Sequence, residues 1–288
     1  MQESSGPPQP PTGGDGIVIR PLTSLHDFDE AVKLQEETWG ANFSDRVPAS
    51  ILRVGQKVGG VSAAAFAANG RMLGFVFGLT GVRDGELVHW SDMLAVRAEA
   101  RGRHLGERLK HYQRDAVRAL GVNRMLWTFD PLVARNAHFN LNKLAAGIAE
   151  YVPNFYGANT GSILHGALPT DRFVAEWLLN DPAIESAARG RGTKPVASAD
   201  VPVSAVVEGG HVRLVDPLPV SPRVRVPIPV DIEAALLKSA DEALAWRLVT
   251  RTAIMDYLAR GYRVSAFHRG TDRELPAYEL SSSTIQTA

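Results

Sequence analysis

The segment Leu87–Lys110 reads LVHWSDMLAVRAEARGRHLGERLK, an apolar stretch that passes into a basic, glycine-bearing one, and its reading decides the fold. Glu86–Val96 has the content of a buried strand. From Arg103 onward Leu105, Leu109, Tyr112, Ala116 and Leu120 recur at helical spacing, and Gly121 can end that helix. A strand that turns into a helix through Arg101-Gly102-Arg103-His104-Leu105-Gly106 aims the unpaired amides of the first helical turn at one point, where the helix dipole favours an anion. Gly102 and Gly106 let a ligand approach the backbone, and Arg101 and Arg103 add charge-assisted contacts to phosphate. The alternatives are therefore a phosphate cradle or a basic, solvated helix start. The dinucleotide fingerprint is not met, because it needs three glycines.

Outward from this segment, Ile17 and Ile19 alternate as in a strand, and Ser24 can cap a helix with Leu25, Phe28, Val32 and Trp39 on its inner face. PASILRVGQKVGG predicts a short second helix. VSAAAFAA and MLGFVFGLTG flank Asn69-Gly70, a strong hairpin signal because both residues tolerate positive φ. After the central helix, RMLWTFD reads as a buried strand, ARNAHFNLNKLAA as a helix running to Gly147, and GIAEYVPNFYG with ALPTDRFVAEWLL as a last strand pair. This order of elements predicts a mixed α/β (α+β) sheet with helices on its faces.

The expected domains are a disordered tail over 1–15, a core domain over 16–180, a linker or long loop over 181–209 and a structured C-terminal extension over 210–288. In the extension, HVRLV and RVRVPIPV alternate at period two, but Pro217, Pro219, Pro222, Pro227 and Pro229 confine these strands to edges or make them irregular. Helices are expected near 231–238 and 240–260, the second opened by a capping box of Ser239 and Glu242, and YRVSAFHRG with PAYEL reads as a closing hairpin.

Composition narrows the partners. Of the 288 residues, Lys and Arg number 31 and Asp and Glu also 31, so no overall field draws nucleic acid or an anionic membrane. The basic residues of RGRHLGERLK form one short segment without interleaved aromatics, which further disfavours nucleic acid. No apolar run nears the roughly twenty residues a membrane helix needs. The N-terminus lacks a signal-peptide layout, and with no cysteine in the chain the expected compartment is cytoplasmic. No metal motif is present, nor a GxSxG elbow. The expected ligand is a small molecule. The histidines at 26, 89, 111, 165, 211 and 268 read as surface or hydrogen-bonded core groups.

The segment DMLAVRAEARGRHLGERLKHYQ resembles motif A of the GNAT superfamily of acyl-CoA-dependent N-acyltransferases. That pattern is Gln or Arg, two residues, Gly, one residue, then Gly or Ala. Arg101 fills its first place and Gly106 its last, while His104 stands where the middle glycine is usual. The resemblance covers residues 16–180 and extends to larger members with a C-terminal extension. It implies a GNAT-like, mostly antiparallel sheet and an acetyl-CoA or other acyl-CoA co-substrate without a metal. The implied acceptor is a small-molecule amine, with amino acids a reasonable class, and a homodimer is one reading of the extension. Some proteins of this kind N-succinylate amino acids.

By the same resemblance the pantetheine arm lies along Met93, Leu94, Ala95 and Val96, pairing with backbone groups as an added strand would. The amides around Leu94 orient the thioester carbonyl, and those from Arg101 through Gly102, Arg103, His104 and Leu105 to Gly106 hold the pyrophosphate. Asp92, placed by strand alternation on the face of Leu94, is the candidate base, against the alternative of pairing with a nearby arginine. The family's tyrosine acid falls at Leu141, so Tyr151, Tyr156 and His138 are the substitutes, with core packing the alternative for the tyrosines. Asn136 and Asn140 are candidates to direct amides at the CoA arm, or Asn136 to cap its helix. A non-catalytic acyl-CoA sensor is the second functional reading, motivated by His104 and Leu141.

Overall fold

In the computed structural model, which describes residues 15–157, 160–162, 168–182, 186 and 200–282, the elements follow the predicted order. The expected tail, apart from Asp15, lies outside the described residues, as does much of the expected linker. The chain divides into two compact units, Met1–Met125 and Leu126–Ala288.

The first unit contains β1 (Val18–Pro21), α1 (Leu25–Trp39), α2 (Ala49–Lys57), β2 (Val61–Phe66), β3 (Met72–Arg83), β4 (Glu86–Val96) and α3 (Leu105–Arg118). Its strands lie in the order β1-β2-β3-β4, each pair antiparallel. Local chemistry starts each piece. Ser24 Oγ accepts from the Asp27 amide at 3.1 Å and the Asp27 carboxylate accepts from the Ser24 amide at 3.4 Å, a reciprocal cap for α1. Gly70 sits at φ 81° in the β2–β3 turn.

The two faces of this sheet have different cores. Phe75, Phe77, Met93 and Ala95 pack with Phe28, Ala31 and Leu34 of α1 in one apolar cluster. The alternate positions of β3 include Gly74 and Gly78, which admit α3 on the other face. A β-carbon on Gly74 would stand 3.3 Å from Leu109, and one on Gly78 would stand 2.7 Å from the Gln113 amide nitrogen. The nearest clashes are with β4, with the Ala95 carbonyl at 2.8 Å for Gly74 and with His89 Nε2 for Gly78, so both glycines are explained by close approach of β4 together with α3.

The second unit contains β5 (Arg124–Phe129, which begins at the boundary), α4 (Ala134–Ala137), β6 (Gly147–Val152), β7 (Arg172–Leu178), β8 (Ala205–Glu208), β9 (His211–Leu214) and β10 (Arg223–Pro227). It continues with α5 (Ile232–Lys238), α6 (Ala240–Ala259), β11 (Arg263–His268) and β12 (Ala277–Ser281). β7 lies between β5 and β6, β8 pairs with β9, and β10-β12-β11 form an antiparallel sheet. Pro227 ends β10, an edge strand of that sheet. Ser239 Oγ accepts from the Glu242 amide at 3.2 Å and starts α6. β8 falls within the segment expected as a linker.

The expected fold class is observed: a mixed, mostly antiparallel sheet flanked by helices, with extra C-terminal strands and helices. One expected helix is altered. Over ARNAHFNLNKLAA the α-helix holds only Ala134–Ala137, and His138–Lys143 continue as a π-helix. Ala145, at φ 52°, ends the run before β6 begins at Gly147.

Candidate active site

The glycine-bearing loop singled out in the sequence is built from one continuous stretch of the first unit. At the end of β4, Arg97 Nε donates to the Met72 carbonyl at 2.9 Å, and its guanidinium also pairs with Glu37. A short 3-10 turn, Ala98–Ala100, leads to Arg101. Gly102 has φ 79°, and His104, the N-cap of α3, has φ 56° and ψ 20°. The residue that replaces the usual glycine therefore keeps the left-handed backbone which glycine adopts most easily. No side chain caps α3 at its N-cap position, so its first amides are left to another acceptor. Arg101, Gly102, Arg103 and His104 are exposed, Leu105 is buried and anchors the helix, and Gly106 is half-buried. His104 Nδ1 lies 3.5 Å from the Glu107 carboxylate.

β4 carries a β-bulge that the sequence pattern conceals. Phe77 pairs with Met93 and Gly78 with Ser91, so Asp92 is the extra residue. Met93 and Ala95 are buried toward α1, and Leu94 and Val96 are half-buried. The bulge breaks strict alternation, so Ser91, as well as the residues beyond it at 94 and 96, faces the α3 side. Asp92 reaches solvent. Even so, the protein crowded around its carboxyl raises it above the ordinary carboxylate range, the Trp90 hydrogen bond pulling down and Asp45 pushing up. A carboxyl so raised is suited to accept a proton.

Beneath the bulge lies a buried polar chain. Lys110 Nζ donates to Ser91 Oγ at 2.7 Å, and Ser91 Oγ donates to Gln113 Oε1 at 2.7 Å. Gln113 Nε2 meets His89 Nε2 at 3.0 Å, His89 Nδ1 meets Thr80 Oγ1 at 2.9 Å, and Thr80 donates to the Gly59 carbonyl at 2.7 Å. Burial lowers Lys110 well below its usual range, and burial and then Lys110 bring His89 down to about 3, so the His89 imidazole in this chain is neutral at neutral pH. Sequence reasoning placed His89 among core or surface histidines and missed the chain. Gly78, a glycine inside a strand pattern, was the available signal.

The second unit holds the remaining candidates. Tyr151 is buried and donates to Asp171 Oδ2 at 2.6 Å, and Asp171 also takes Arg251 in a bidentate pair at 2.8 and 2.6 Å. Burial, then the bond to Asp171 and its charge, push the Tyr151 phenol far up. Burial alone would raise Asp171, but its Arg251 and Tyr151 bonds win and hold it down. Tyr156 is half-buried, with its hydroxyl 2.8 Å from Thr128 Oγ1 and its ring centroid 5.1 Å from the Arg172 guanidinium. His138 opens the π-helix. Burial and then the charges of Arg269 and Lys143 lower it, and its Nδ1 is buried without a hydrogen-bond partner.

Asn140 is buried and accepts from Trp127 Nε1 at 2.9 Å, whereas Asn136 is half-buried in α4, whose N-cap is Val133. Leu141 is half-buried in the π-helix. Sequence reasoning also missed Asp130, which takes Arg247 bidentately at 2.9 and 2.6 Å with Arg172 at 3.5 Å. Among the described residues no group of three or more His, Asp or Glu is placed to hold a metal, and no helix is long and apolar enough to cross a membrane.

No protein-family model matches the chain, and no curated protein matches it. Solved structures do. The chain is similar to yncA of Salmonella typhimurium, solved with acetyl-CoA, at 15% identity over 58% of this chain and 95% of that one, with a TM-score of 0.46. It is similar to an N-acetyltransferase from Staphylococcus aureus Mu50 at 15% identity, over 57% and 99%, with a TM-score of 0.46. It is likewise similar to an acetyltransferase of the GNAT family from Streptococcus pneumoniae at 19% identity, over 56% and 99%, with a TM-score of 0.44. Identities this low carry no residue roles across.

Proposed function

We propose that the chain is an acyl-CoA-dependent N-acyltransferase of the GNAT kind, which moves an acetyl or succinyl group from a CoA thioester to the amine of a small acceptor such as an amino acid. One observation carries this reading: a bulged strand leads through two left-handed residues, Gly102 and His104, to a helix that no side chain caps, with Arg101 and Arg103 exposed beside it. That arrangement suits a diphosphate, because amide donors, a helix dipole and guanidinium groups then act on one anion.

In this reading the amides from Arg101 to Gly106 hold the pyrophosphate, and β4 from Met93 to Val96 offers backbone groups to the pantetheine arm. The Leu94 amide orients the thioester carbonyl and stabilises the charge that develops on its oxygen. Asp92 takes the proton from the acceptor ammonium, directly or through water. The freed amine attacks the thioester carbon and the C–N bond forms; as the C–S bond breaks, the departing thiolate takes a proton from a general acid, and the second proton of the former amine leaves the amide nitrogen and restores that acid through solvent. Tyr156 is the better acid of the two tyrosines, since the Tyr151 proton is committed to Asp171. No covalent enzyme intermediate is required.

Calorimetric titration with CoA, followed by a thiol-release assay across a panel of amines, tests the reading. Binding with acceptor-dependent release supports it, and binding without turnover identifies a sensor instead. Gly106→Trp, which sets an indole across the first turn of α3, is expected to abolish CoA binding while the fold persists. Unchanged affinity in that variant overturns the cradle.

A further inference from the structure

The buried chain between α3 and β4 has a direction that can be read from its fixed end. Thr80 has one hydroxyl proton and gives it to the Gly59 carbonyl, so toward His89 it can only accept. His89 Nδ1 therefore carries the imidazole proton, and His89 Nε2 must accept. The Gln113 amide satisfies that need with its NH2 group, which turns Oε1 toward Ser91. The position opposite Gln113 Oε1 must consequently be filled by a donor. Ser91 supplies one, and it accepts from Lys110 on its other side. Because the chain ends on a carbonyl and passes through an amide, it is no route for protons.

Its position matters more than its length. At the bulge, Ser91 and Asp92 compete for one place opposite Gly78. If Ser91 were the extra residue, Asp92 would pair with Gly78 and turn beneath α3, with the pairing of Trp90 and His89 unchanged. A carboxylate cannot donate, so in that place it would face Gln113 Oε1 without a proton to share. Rotating the amide to receive it would break the bond to His89. The demand for a donor, set as far away as Gly59, thus selects Ser91 for the inside and leaves Asp92 outside.

We infer that the chain Thr80–His89–Gln113–Ser91–Lys110 is a positioning device that fixes the β4 bulge on Asp92 and keeps its carboxylate on the solvent side. The inference rests on the proposed function only in calling Asp92 the base, and the bulge itself can be tested without turnover.

The test is a carboxyl titration by NMR on protein carrying 13C-labelled aspartate, with the Asp92 signal assigned by its loss in Asp92→Asn. Ser91→Ala removes the donor, and Thr80→Val releases the far end that sets the direction. In both variants the Asp92 midpoint is expected to fall by about half a pH unit or more, whether the carboxylate turns toward Lys110 or becomes freely solvated. Faster amide exchange at residues 91–93 should accompany it. Ser91→Thr keeps the hydroxyl and should keep the wild-type midpoint. A midpoint that stays put or rises in folded Ser91→Ala and Thr80→Val overturns the inference. Two variants at opposite ends guard against either one failing to fold. If the wild-type protein neither binds nor turns over acyl-CoA, the functional reading fails, while the bulge device still stands or falls on the titration.

Discussion

The Asp15 carboxylate lies 3.0 Å from the Arg108 guanidinium, and the same oxygen is 3.4 Å from Arg103. Arg108 also donates to the Ile17 carbonyl at 3.1 Å, which ties the start of the described chain to the basic side of α3. An anion of the protein itself thus occupies one of the guanidinium groups proposed for the pyrophosphate. Exposed ion pairs of this kind are weak and screened by salt. Asp15→Asn is therefore expected to tighten CoA binding by about two- to fivefold at low ionic strength. The gain should vanish at high salt. Calorimetry at two salt concentrations checks it, and equal affinity of both proteins at low salt removes Arg103 from the site.

His104 occupies a left-handed backbone that disfavours residues with a β-carbon by about 1–2 kcal/mol. Glycine escapes that cost but loses about 0.5–1 kcal/mol through its freedom in the unfolded chain. The balance predicts that His104→Gly stabilises the protein by about 0.5–1 kcal/mol in urea unfolding. A β-branched residue fits this conformation worst, so His104→Val should lose about 1 kcal/mol or more and weaken CoA binding as the first-turn amides shift. If the valine variant matches the wild type in both measurements, the loop does not hold His104 in this conformation.

His89 carries a pH signature. Its folded value is about 3, lowered first by burial and then by Lys110, against an ordinary 6.5 in the unfolded chain. Between those values the unfolded state is protonated and the folded state is not. Stability from this group is therefore complete above pH 6.5 and is lost as pH falls toward 3. The full loss is on the order of 4–5 kcal/mol. Urea midpoints for wild type and His89→Gln across this range should converge as pH falls, although the variant starts lower. Parallel curves would mean that the imidazole is not held neutral.

Local signals in the sequence were legible because their partners are near. Ser24, Asn69-Gly70 and Ser239 each act on groups within a few residues: Ser24 and Asn69-Gly70 form the expected cap and turn, and Ser239 forms the serine half of its expected capping box. The bulge was not legible, since LVHWSDMLAV gives no sign of where one residue is added, and the face of Ser91 changes with it. The polar partners were hidden by distance along the chain. His89 meets Gln113 24 residues on, and Asp171 meets Arg251 80 residues on. In sequence those charges resemble a solvated surface, and only tertiary packing buries them. The π-helix from His138 was hidden for a different reason, because its residues have ordinary helical propensity and the extra residue per turn leaves no compositional mark.

Tyr151 and Tyr156 share a side chain but occupy different environments, so removing each hydroxyl should have different effects. Tyr151 is buried, its proton is held by Asp171, and Arg251 closes the same carboxylate. Tyr151→Phe leaves Asp171 one donor short and should cost about 1–3 kcal/mol of stability, with turnover changed only a few fold. Tyr156 shares its hydroxyl with Thr128 and is half-buried, so Tyr156→Phe should cost about 1 kcal/mol or less. As the proposed acid for the thiolate it should lower kcat by about a hundredfold while the Kd for CoA is kept. The contrast is the measurement: unfolding midpoints and kcat are determined for both variants. If Tyr151→Phe loses turnover and Tyr156→Phe does not, the acid is Tyr151, and its bond to Asp171 must open during the reaction. If neither loses turnover, the leaving thiolate is protonated by another group, and His138→Gln becomes the variant that decides.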